Sequence, residues 1–301
     1  MPSKSSLLRV AACQVLTSSD VADSTRKIVD WLGRAKEQKV QLVTFPEGAL
    51  HGYTPGRTFW RTVKPRVFQQ AEQKVAQACR RYRLAAVIGS AHVEGGAWMN
   101  SLAILDPKGN LTGRYSKSFL AGEQWFASGR NIVIHQILGV PCCFLICHDI
   151  RYPELVRLPA VRGARMCIYC SCESGLVLEH KLSAYRAMPI SRAAENGIWL
   201  VMANTPADPT RMNAAGQSHG NSKIIDPAGN VLEEAGHFEQ RLVIADIDPD
   251  QADRWIARRV YEEPSLIQEW IRSGAEIVQV PGSDGSRAAG KRSFATGRRT
   301  R

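Results

Sequence analysis

Short runs of apolar and β-branched residues alternate with longer segments of helical periodicity along the first hundred residues. The apolar runs read LLRVAACQV, VQLVTFPEG and LAAVIGSAHV, and the segments between them read DSTRKIVDWLGRAKEQK and FQQAEQKVAQACRRYR. Such runs predict strands, and apolar positions that recur every three to four residues predict amphipathic helices. This alternation of strands and helices is typical of the α/β class.

Two turn sequences predict β-hairpins. In WMNSLAILDPKGNLTGRYSK, residues 98–117, Asp-Pro-Lys-Gly-Asn joins two extended runs, and these residue types favour tight turns. DPAGNV at 226–231 repeats DPKGNL at 106–111, and an apolar pair precedes each copy. The repeat indicates that two halves of the chain are built on similar layers.

Segments 179–196 and 250–274 are predicted helices. The second carries apolar side chains at roughly helical spacing: Trp255, Ile256, Val260, Leu266, Ile267 and Trp270. We expect this terminal helix to lie in the core or at a subunit interface. No low-complexity linker interrupts residues 1–280, which we therefore treat as one domain.

The composition is that of a folded, water-soluble chain, with 44% apolar and 22% charged residues. The sequence has neither an apolar run of eighteen residues nor a secretory leader, which predicts a cytoplasmic protein without membrane contact. Much of the net charge of +11 comes from the last stretch, GSRAAGKRSFATGRRTR. We expect residues 281–301 to be a disordered, solvated tail, and we favour this interpretation over binding to RNA or other anions.

The eight cysteines lie mostly inside apolar runs and lack the paired spacing of zinc knuckles. We therefore expect reduced, buried thiols, with one exception. Cys147 ends the apolar run from Cys142 to Ile146, and a thiol at a strand-to-helix elbow can be activated by backbone N–H groups and a nearby base. Taken alone, this pattern is more typical of a buried structural thiol.

Two further segments place a reactive side chain beside turn residues. Glu47 follows the apolar strand of VTFPEG, where α/β proteins place their sites, although a surface glutamate is the alternative. GRYSKSFLAGEQWFASG supplies Lys117 and Glu123 among aromatic residues, and Lys117 could hold a developing oxyanion or be merely solvated. Glu47 as general base, Lys117 as cation and Cys147 as nucleophile complete a site for acyl transfer without histidine.

With these residues the sequence resembles the nitrilase superfamily, the carbon–nitrogen hydrolases, which use a Glu-Lys-Cys triad. The resemblance covers about residues 7–275 and rests on PEGALHGY, GRYSK, GEQWFASG and ICHDIRYPEL. RAAEN at 192–196 and Asn204 also fit the pattern of the family. The domain 1–280 is thereby interpreted as a carbon–nitrogen hydrolase domain.

The resemblance implies a four-layer α-β-β-α sandwich that commonly forms a homodimer or a higher homo-oligomer. It implies that Glu47 deprotonates Cys147, which attacks an amide carbonyl, and that Lys117 and the backbone N–H of His148 hold the oxyanion. Ammonia or an amine would leave, and water activated by Glu47 would hydrolyse the thioester. Glu123 would place the substrate or order Lys117, and no cofactor or metal is implied.

Departures from the usual family patterns bear on the substrate. True nitrilases tend to carry Trp-Glu after the cysteine, whereas His148-Asp149 follow here, which favours linear amides or N-carbamoyl compounds over nitriles. YCSCESG at 169–175 replaces a simpler Pro-Ser stretch where we expect a pocket wall. Tyr53 and Asn204 are predicted to line the pocket.

Three expectations concern the residues after Cys147. The side chain of His148 is not expected to act as the base, because neighbours on a strand point to opposite sides. Asp149 and Arg151 are expected to form an ion pair that shapes the elbow, and Glu154 is expected to order the same loop.

Two rival interpretations remain at this stage. His92-Val93-Glu94 and Pro141-Cys142-Cys143 suggest a zinc deaminase, but that signature requires Pro-Cys-x-x-Cys, and adjacent cysteines on a strand point apart. The second rival is a catalytically silent relative that acts as a scaffold. Unusual reactivity of the Cys147 thiol would distinguish an enzyme from a scaffold.

Overall fold

The structure is a computed structural model, and it describes residues 7–53, 56–173, 182–211 and 218–280. The strands are β1 (Leu8–Gln14), β2 (Leu42–Thr44), β3 (Ala85–Glu94), β4 (Ala97–Leu105), β5 (Leu111–Ser116), β6 (Ile132–Val133), β7 (His135–Ile137), β8 (Val140–Ile146), β9 (Met166–Ser171), β10 (Trp199–Asn204), β11 (Lys223–Ile225), β12 (Val231–Glu234), β13 (Arg241–Ile247) and β14 (Val278–Gln279). The helices are α1 (Val21–Glu37), α2 (Arg57–Thr62), α3 (Pro65–Tyr82), α4 (Glu154–Val161), α5 (Leu182–Ala194), α6 (Trp255–Glu262) and α7 (Gln268–Ala275). The predicted tail and the start of the predicted helix at 179–181 lie outside the described residues.

Two six-stranded sheets share one plan. Their strand orders are β13-β1-β2-β3-β4-β5 and β12-β11-β10-β9-β8-β7. In each sheet three consecutive strands are parallel, namely β1 to β3 and β8 to β10, and two antiparallel strands follow them. One more antiparallel strand borders the first, β13 on β1 and β7 on β8. The repeat that the sequence suggested is therefore a repeat of topology.

The buried residues form three clusters that define the layers. Alternate residues of β1 point in opposite directions, so that Val10 packs between the sheets and Ala11 packs under α1 and α3. A third cluster joins the second sheet to α4, α5, α6 and α7. The order of layers is helix, sheet, sheet, helix, and the predicted four-layer α-β-β-α sandwich is confirmed. Within the described residues no helix is long and apolar enough to cross a membrane.

The two predicted hairpins are confirmed, and their turns are built alike. Asp106 Oδ1 accepts hydrogen bonds from the backbone N–H groups of Lys108 and Asn110, each at 2.8 Å. Asp226 Oδ1 accepts the equivalent bonds from Ala228 and Asn230, at 2.9 and 2.8 Å. One aspartate therefore fixes each turn by binding the backbone that follows it.

The prediction of one helix over 250–274 is wrong. Two short helices, α6 and α7, replace it, and the sequence between them contains Pro264, which has no N–H to continue a helix. Trp255 and Trp270 are 56% and 55% exposed, and Leu266 and Ile267 are exposed as well. These four side chains therefore do not lie in the core of the chain. Their place at a subunit interface, the other possibility that the sequence offered, stays a prediction.

Candidate active site

The ends of β2, β5 and β8 bring the three predicted catalytic residues into one buried cluster. Glu47 lies in the loop after β2, Lys117 directly follows β5, and Cys147 directly follows β8. Their exposures are 0%, 0% and 8%. Lys117 stays beside β4, because its N–H donates to the carbonyl of Asn100 at 2.9 Å and its own carbonyl accepts from Gly129 at 2.7 Å.

The loop that carries Glu47 lies directly against β3. Phe45 N–H donates to Val87 O at 2.8 Å, and Leu50 N–H donates to Gly89 O at 3.0 Å. A Cβ atom at Gly89 would lie 2.5 Å from the backbone nitrogen of Gly48. The glycine therefore allows the backbone of this loop to approach the sheet closely enough to hold Glu47 in place.

Lys117 bridges two carboxylates. Its Nζ lies 2.9 Å from Glu47 Oε1 and 2.6 Å from Glu123 Oε1. Burial disfavours the charged amine, but the neighbouring carboxylates of Glu47 and Glu123 outweigh it, so the pKa of Lys117 lies above its ordinary value. Burial would likewise raise the pKa of Glu123, but the charge of Lys117 and its hydrogen bond lower it. The cluster therefore holds a fixed cation at neutral pH, and Glu123 lies where the sequence predicted it.

Two contacts of Glu47 were not predicted. Asn100 Nδ2 donates to Glu47 Oε1 at 2.7 Å, and Cys172 N–H donates to Glu47 Oε2 at 3.1 Å. Both oxygens of the carboxylate are thus held by protein donors. An asparagine inside the apolar run of β4 was the available signal for Asn100. Its partner depends on how β4 pairs with β3, against which the Glu47 loop lies.

Tyr53, for which the sequence predicted a place in the pocket wall, lies at the same cluster. Its hydroxyl donates to Glu123 Oε1 at 2.9 Å, and its ring lies 5.6 Å from Lys117 Nζ. Burial and then the charge of Glu47 raise the pKa of Tyr53, so its hydroxyl stays protonated. Tyr53 therefore contributes a hydrogen-bond donor to the wall around Glu123.

Cys147 forms a strained elbow. Its φ is +46°, which is uncommon for a residue other than glycine, and a 3-10 turn over Cys147–Arg151 follows the end of β8. Burial raises the pKa of the Cys147 thiol well above its ordinary value; Glu47 raises it further, and Lys117 opposes them. The resting sulfur is therefore a thiol, and it needs a base when it reacts.

Asp149 stabilises this elbow through hydrogen bonds to its buried carboxylate. Its carboxylate accepts hydrogen bonds from the Tyr115 hydroxyl at 2.8 Å, Phe119 N–H at 2.9 Å and Ile146 N–H at 3.1 Å. Burial raises the pKa of Asp149 to about 6, although these donors oppose the shift. The predicted ion pair with Arg151 is wrong, because the turn directs Asp149 inward.

Arg151 contacts a different side chain. Its guanidinium donates to the Tyr185 hydroxyl at 3.1 Å and lies 5.3 Å from the centre of that ring. The His148 ring packs edge-on against Tyr152 with their centres 5.9 Å apart. His148 lies in the 3-10 turn and not on a strand, so the alternation of a strand does not govern its direction.

Asn204 contacts the segment that follows β9, and its predicted place in the pocket wall stays a prediction. Its side chain is fully buried: Oδ1 accepts from Glu173 N–H at 3.1 Å and from Ser218 Oγ at 3.0 Å, and Nδ2 donates to Gly220 O at 2.7 Å. Each polar atom of its amide has a protein partner. Asn204 therefore braces the segment after β9, of which residues 174–175 lie outside the described residues.

The residues of the zinc alternative have other contacts. His92 Nδ1 lies 3.0 Å from Ser101 Oγ, and Cys142 and Cys143 are fully buried in β8. Among the described residues no group of three or more His, Cys, Asp or Glu side chains could hold a metal ion.

Comparisons with known proteins identify the class of enzyme. The sequence model of the carbon–nitrogen hydrolases matches residues 9–257. An (R)-stereoselective amidase from Pseudomonas sp is 31% identical over 226 residues, which are 73% of this chain and 77% of that protein. The omega-amidase of Homo sapiens is 25% identical over 252 residues, 80% of this chain and 88% of that protein.

A solved structure agrees with these sequence matches. It is a glutamate-to-glutamine variant of the amidase from Nesterenkonia sp. AN1 that shows covalent addition of the acetamide moiety of fluoroacetamide at the active-site cysteine. It superposes with a TM-score of 0.72 at 25% identity and covers 84% of this chain and 94% of that chain. The chain therefore belongs to the carbon–nitrogen hydrolase family of the nitrilase superfamily, as its motifs predicted.

Proposed function

We propose that this protein is an amidase that hydrolyses a linear amide or an N-carbamoyl compound, with Cys147 as the nucleophile. The observation that supports this most is the buried contact of Lys117 Nζ with Glu47 Oε1, at 2.9 Å, within electrostatic reach of the Cys147 thiol. The covalent adduct at the active-site cysteine of the Nesterenkonia amidase supports the same role for a cysteine here.

The first step transfers a proton from Cys147 to Glu47. Because burial keeps the Cys147 thiol protonated, a base must take its proton as the sulfur attacks the carbonyl carbon. Lys117 cannot be that base, since the carboxylates around it keep it charged. Glu47 lies in the same cluster and is held by Lys117, Asn100 and the Cys172 N–H.

The second step stabilises the oxyanion and releases the amine. Lys117 supplies the fixed positive charge for the negative oxygen of the tetrahedral intermediate, together with the backbone N–H of His148. Glu47, now protonated, donates its proton to the leaving nitrogen, so ammonia or an amine departs and a thioester to Cys147 remains. Water then loses a proton to Glu47 and attacks the thioester, which frees the acid and restores the thiol.

The test is ammonia release from a mixed panel of substrates. The panel contains small aliphatic amides, ω-amides of dicarboxylic acids, N-carbamoyl amino acids and nitriles. Release from one class that is absent in Cys147→Ala and in Glu47→Gln supports the proposal and names the substrate. Cys79→Ala is the matched control, because Cys79 is a fully buried cysteine packed under the first sheet.

The same panel decides between the alternatives. If nitriles alone respond, the triad is a nitrilase site, despite the His148-Asp149 pair that favours amides. If no substrate responds and iodoacetamide labels Cys147 no faster than the other thiols, the protein is a catalytically silent scaffold.

We also propose that the protein acts in the cytoplasm as a homodimer, with the basic tail 281–301 outside the catalytic domain. All eight cysteines are free, which fits a reducing compartment. Exposed aromatic side chains on α6 and α7, Trp255 and Trp270, are of the type enriched at subunit interfaces, and a second copy of this chain is the partner we assign to them.

A further inference from the structure

A second set of buried polar side chains lies next to Cys147, and the mechanism above does not use it. Tyr169 lies on β9, Glu173 follows that strand, and His219 precedes β11; each is at most 1% exposed. The Tyr169 hydroxyl lies 3.2 Å from the carbonyl oxygen of Cys147 and also bonds to Glu173 Oε1. Glu173 Oε2 in turn lies 3.2 Å from His219 Nε2.

The number of hydrogens available to these hydrogen-bonded side chains limits the charge that Glu173 can carry. A phenol carries one hydrogen, and the carbonyl oxygen of Cys147 can only accept. If Glu173 is ionised, its carboxylate too can only accept hydrogen bonds. The single hydrogen of the Tyr169 hydroxyl can then bond to Glu173 or to the Cys147 carbonyl, but not to both. If Glu173 is protonated, it donates to the Tyr169 oxygen, and the Tyr169 hydroxyl is free to donate to Cys147.

His219 fits the protonated arrangement as well. A neutral imidazole with its hydrogen on Nε2 donates to Glu173 Oε2 and leaves Nδ1 as a bare acceptor. His219 Nδ1 is buried and has no hydrogen-bond partner among the described residues. A charged imidazolium would place an unpaired N–H there, which costs more than a bare nitrogen. Every bond of the chain is therefore satisfied when both Glu173 and His219 are neutral.

We propose that Glu173 is a neutral, protonated carboxylic acid in the resting protein and a positioning residue for the nucleophile. The hydrogen bonds run from His219 through Glu173 and Tyr169 to the carbonyl of Cys147. They hold the residue whose φ is +46°, and a strained backbone of this kind persists only where its surroundings hold it. The inference rests on the proposed function in one respect, that Cys147 is the nucleophile.

The absence of a charge on Glu173 also affects the electrostatic surroundings of the Cys147 sulfur. The titratable and charged groups around Glu173 come from several elements: Tyr169, Cys172, His219, Tyr185, Arg151, Cys147 and Glu47. Glu47 and Glu123 already place two carboxylates around Lys117, and an ionised Glu173 would raise the pKa of the Cys147 thiol further. Burial raises the pKa of Glu173, while His219 and Tyr169 oppose it.

The proposal makes Glu173→Gln a conservative change, because a glutamine amide has the donor and the acceptor of a protonated acid. Infrared difference spectra at neutral pH, native minus Glu173→Gln, should contain the carbonyl band of a protonated carboxylic acid. A difference that contains carboxylate bands alone would contradict the proposal, as would a Glu173→Gln protein that fails to fold. This readout requires no turnover, so it can fail while the proposed amidase function holds.

Alkylation of Cys147 by iodoacetamide gives the second readout, followed by mass spectrometry of the Cys147 peptide. At neutral pH Glu173→Gln should react within about twofold of the native rate, whereas Tyr169→Phe, which cannot bind the Cys147 carbonyl, should differ by roughly fivefold to tenfold. As the pH is raised above neutrality, the ratio of the Glu173→Gln rate to the native rate should rise, because only the native protein can gain a negative charge at position 173. A constant ratio would overturn the proposal.

Discussion

Lys117 carries a buried positive charge that is balanced by the two carboxylates it touches. The amine is fully buried, and so are the side chains of Glu47 and, to within 3%, Glu123. Ion pairs of this kind add little net stability, but loss of one partner leaves the others charged and without compensation. The contact of Lys117 with Glu47, which we assign to catalysis, is therefore also needed for the stability of the fold.

Replacing Lys117 by methionine should lower the free energy of unfolding by about 3–5 kcal/mol at neutral pH. The destabilisation caused by Lys117→Met should be smaller at acidic pH. The pKa of Glu123 is depressed, so the stability that Lys117 provides is present above the ordinary carboxyl pKa and is lost as the pH falls through the folded value. Urea titrations at several pH values measure this. Lys27→Met is the control, because Lys27 pairs with Asp23 at the surface, and it should change stability by less than about 1 kcal/mol.

At the scale of the elements, the strand ends were predictable from the sequence and the cross-strand partners were not. Apolar runs that stop before Glu47 and at Cys147 identified the loops to which we assign the chemistry. The contact of Asn100 with Glu47 depends on the pairing of β4 with β3, against which the Glu47 loop lies, and sequence periodicity does not encode it. The Asp149 prediction failed for a related reason, since two of its hydrogen-bond donors, Tyr115 and Phe119, come from β5 and the loop after it and not from its neighbours in sequence.

Asp149 gives the elbow a pH dependence of known sign. Its pKa in the folded protein is about 6 because of burial, so between its ordinary value of 3.8 and about 6 the native state binds more protons than the unfolded state. Native stability should therefore fall as pH rises through this window, by up to about 3 kcal/mol. Asp149→Asn cannot titrate, so the free energy of unfolding of the native protein minus that of Asp149→Asn should decrease from acid to neutral pH. Parallel stability curves would contradict this assignment.

Substitution of Gly89 tests the contact between β3 and the loop that carries Glu47. A methyl group at this position collides with the backbone of the loop, so Gly89→Ala should displace Glu47 and reduce hydrolysis at least tenfold, with a loss of stability of about 1–3 kcal/mol. Gly56→Ala is the matched control, since among the described residues, its chain neighbours aside, no heavy atom lies within 4 Å of its Cβ position. Steady-state rates and urea titrations check both variants. Equal effects of the two substitutions would show that the close approach at Gly89 does not matter.

The whole molecule repeats one sheet plan twice, and the site lies where the two copies meet. The first sheet supplies Glu47 and Lys117, the second supplies Cys147, and residues of both sheets pack into the shared inner layer. The four layers followed from the family resemblance, whereas strand–helix alternation predicted only the α/β class. Among the described residues, the exposed aromatic side chains of α6 and α7, Trp255 and Trp270, do not contribute to the core of the single chain.

We expect the native protein to sediment as a dimer and Trp270→Glu as a monomer. A charge at the centre of an apolar interface must be desolvated, and it typically costs more than 2 kcal/mol of association energy, roughly thirtyfold in the dissociation constant. Sedimentation equilibrium at several protein concentrations measures this. Leu111→Glu is the control, because Leu111 is 47% exposed on the first sheet, at a distance in sequence from these helices. A monomeric native protein would rule out the interface.

The central claim is that the thiol of Cys147 hydrolyses an amide with the help of Glu47 and Lys117. Ammonia release from the substrate panel, compared between the native protein and Cys147→Ala, tests it most directly. We predict release from an amide or N-carbamoyl substrate by the native protein and none above background by the variant. Equal release by both proteins would contradict the account, because the reaction would then not depend on this sulfur.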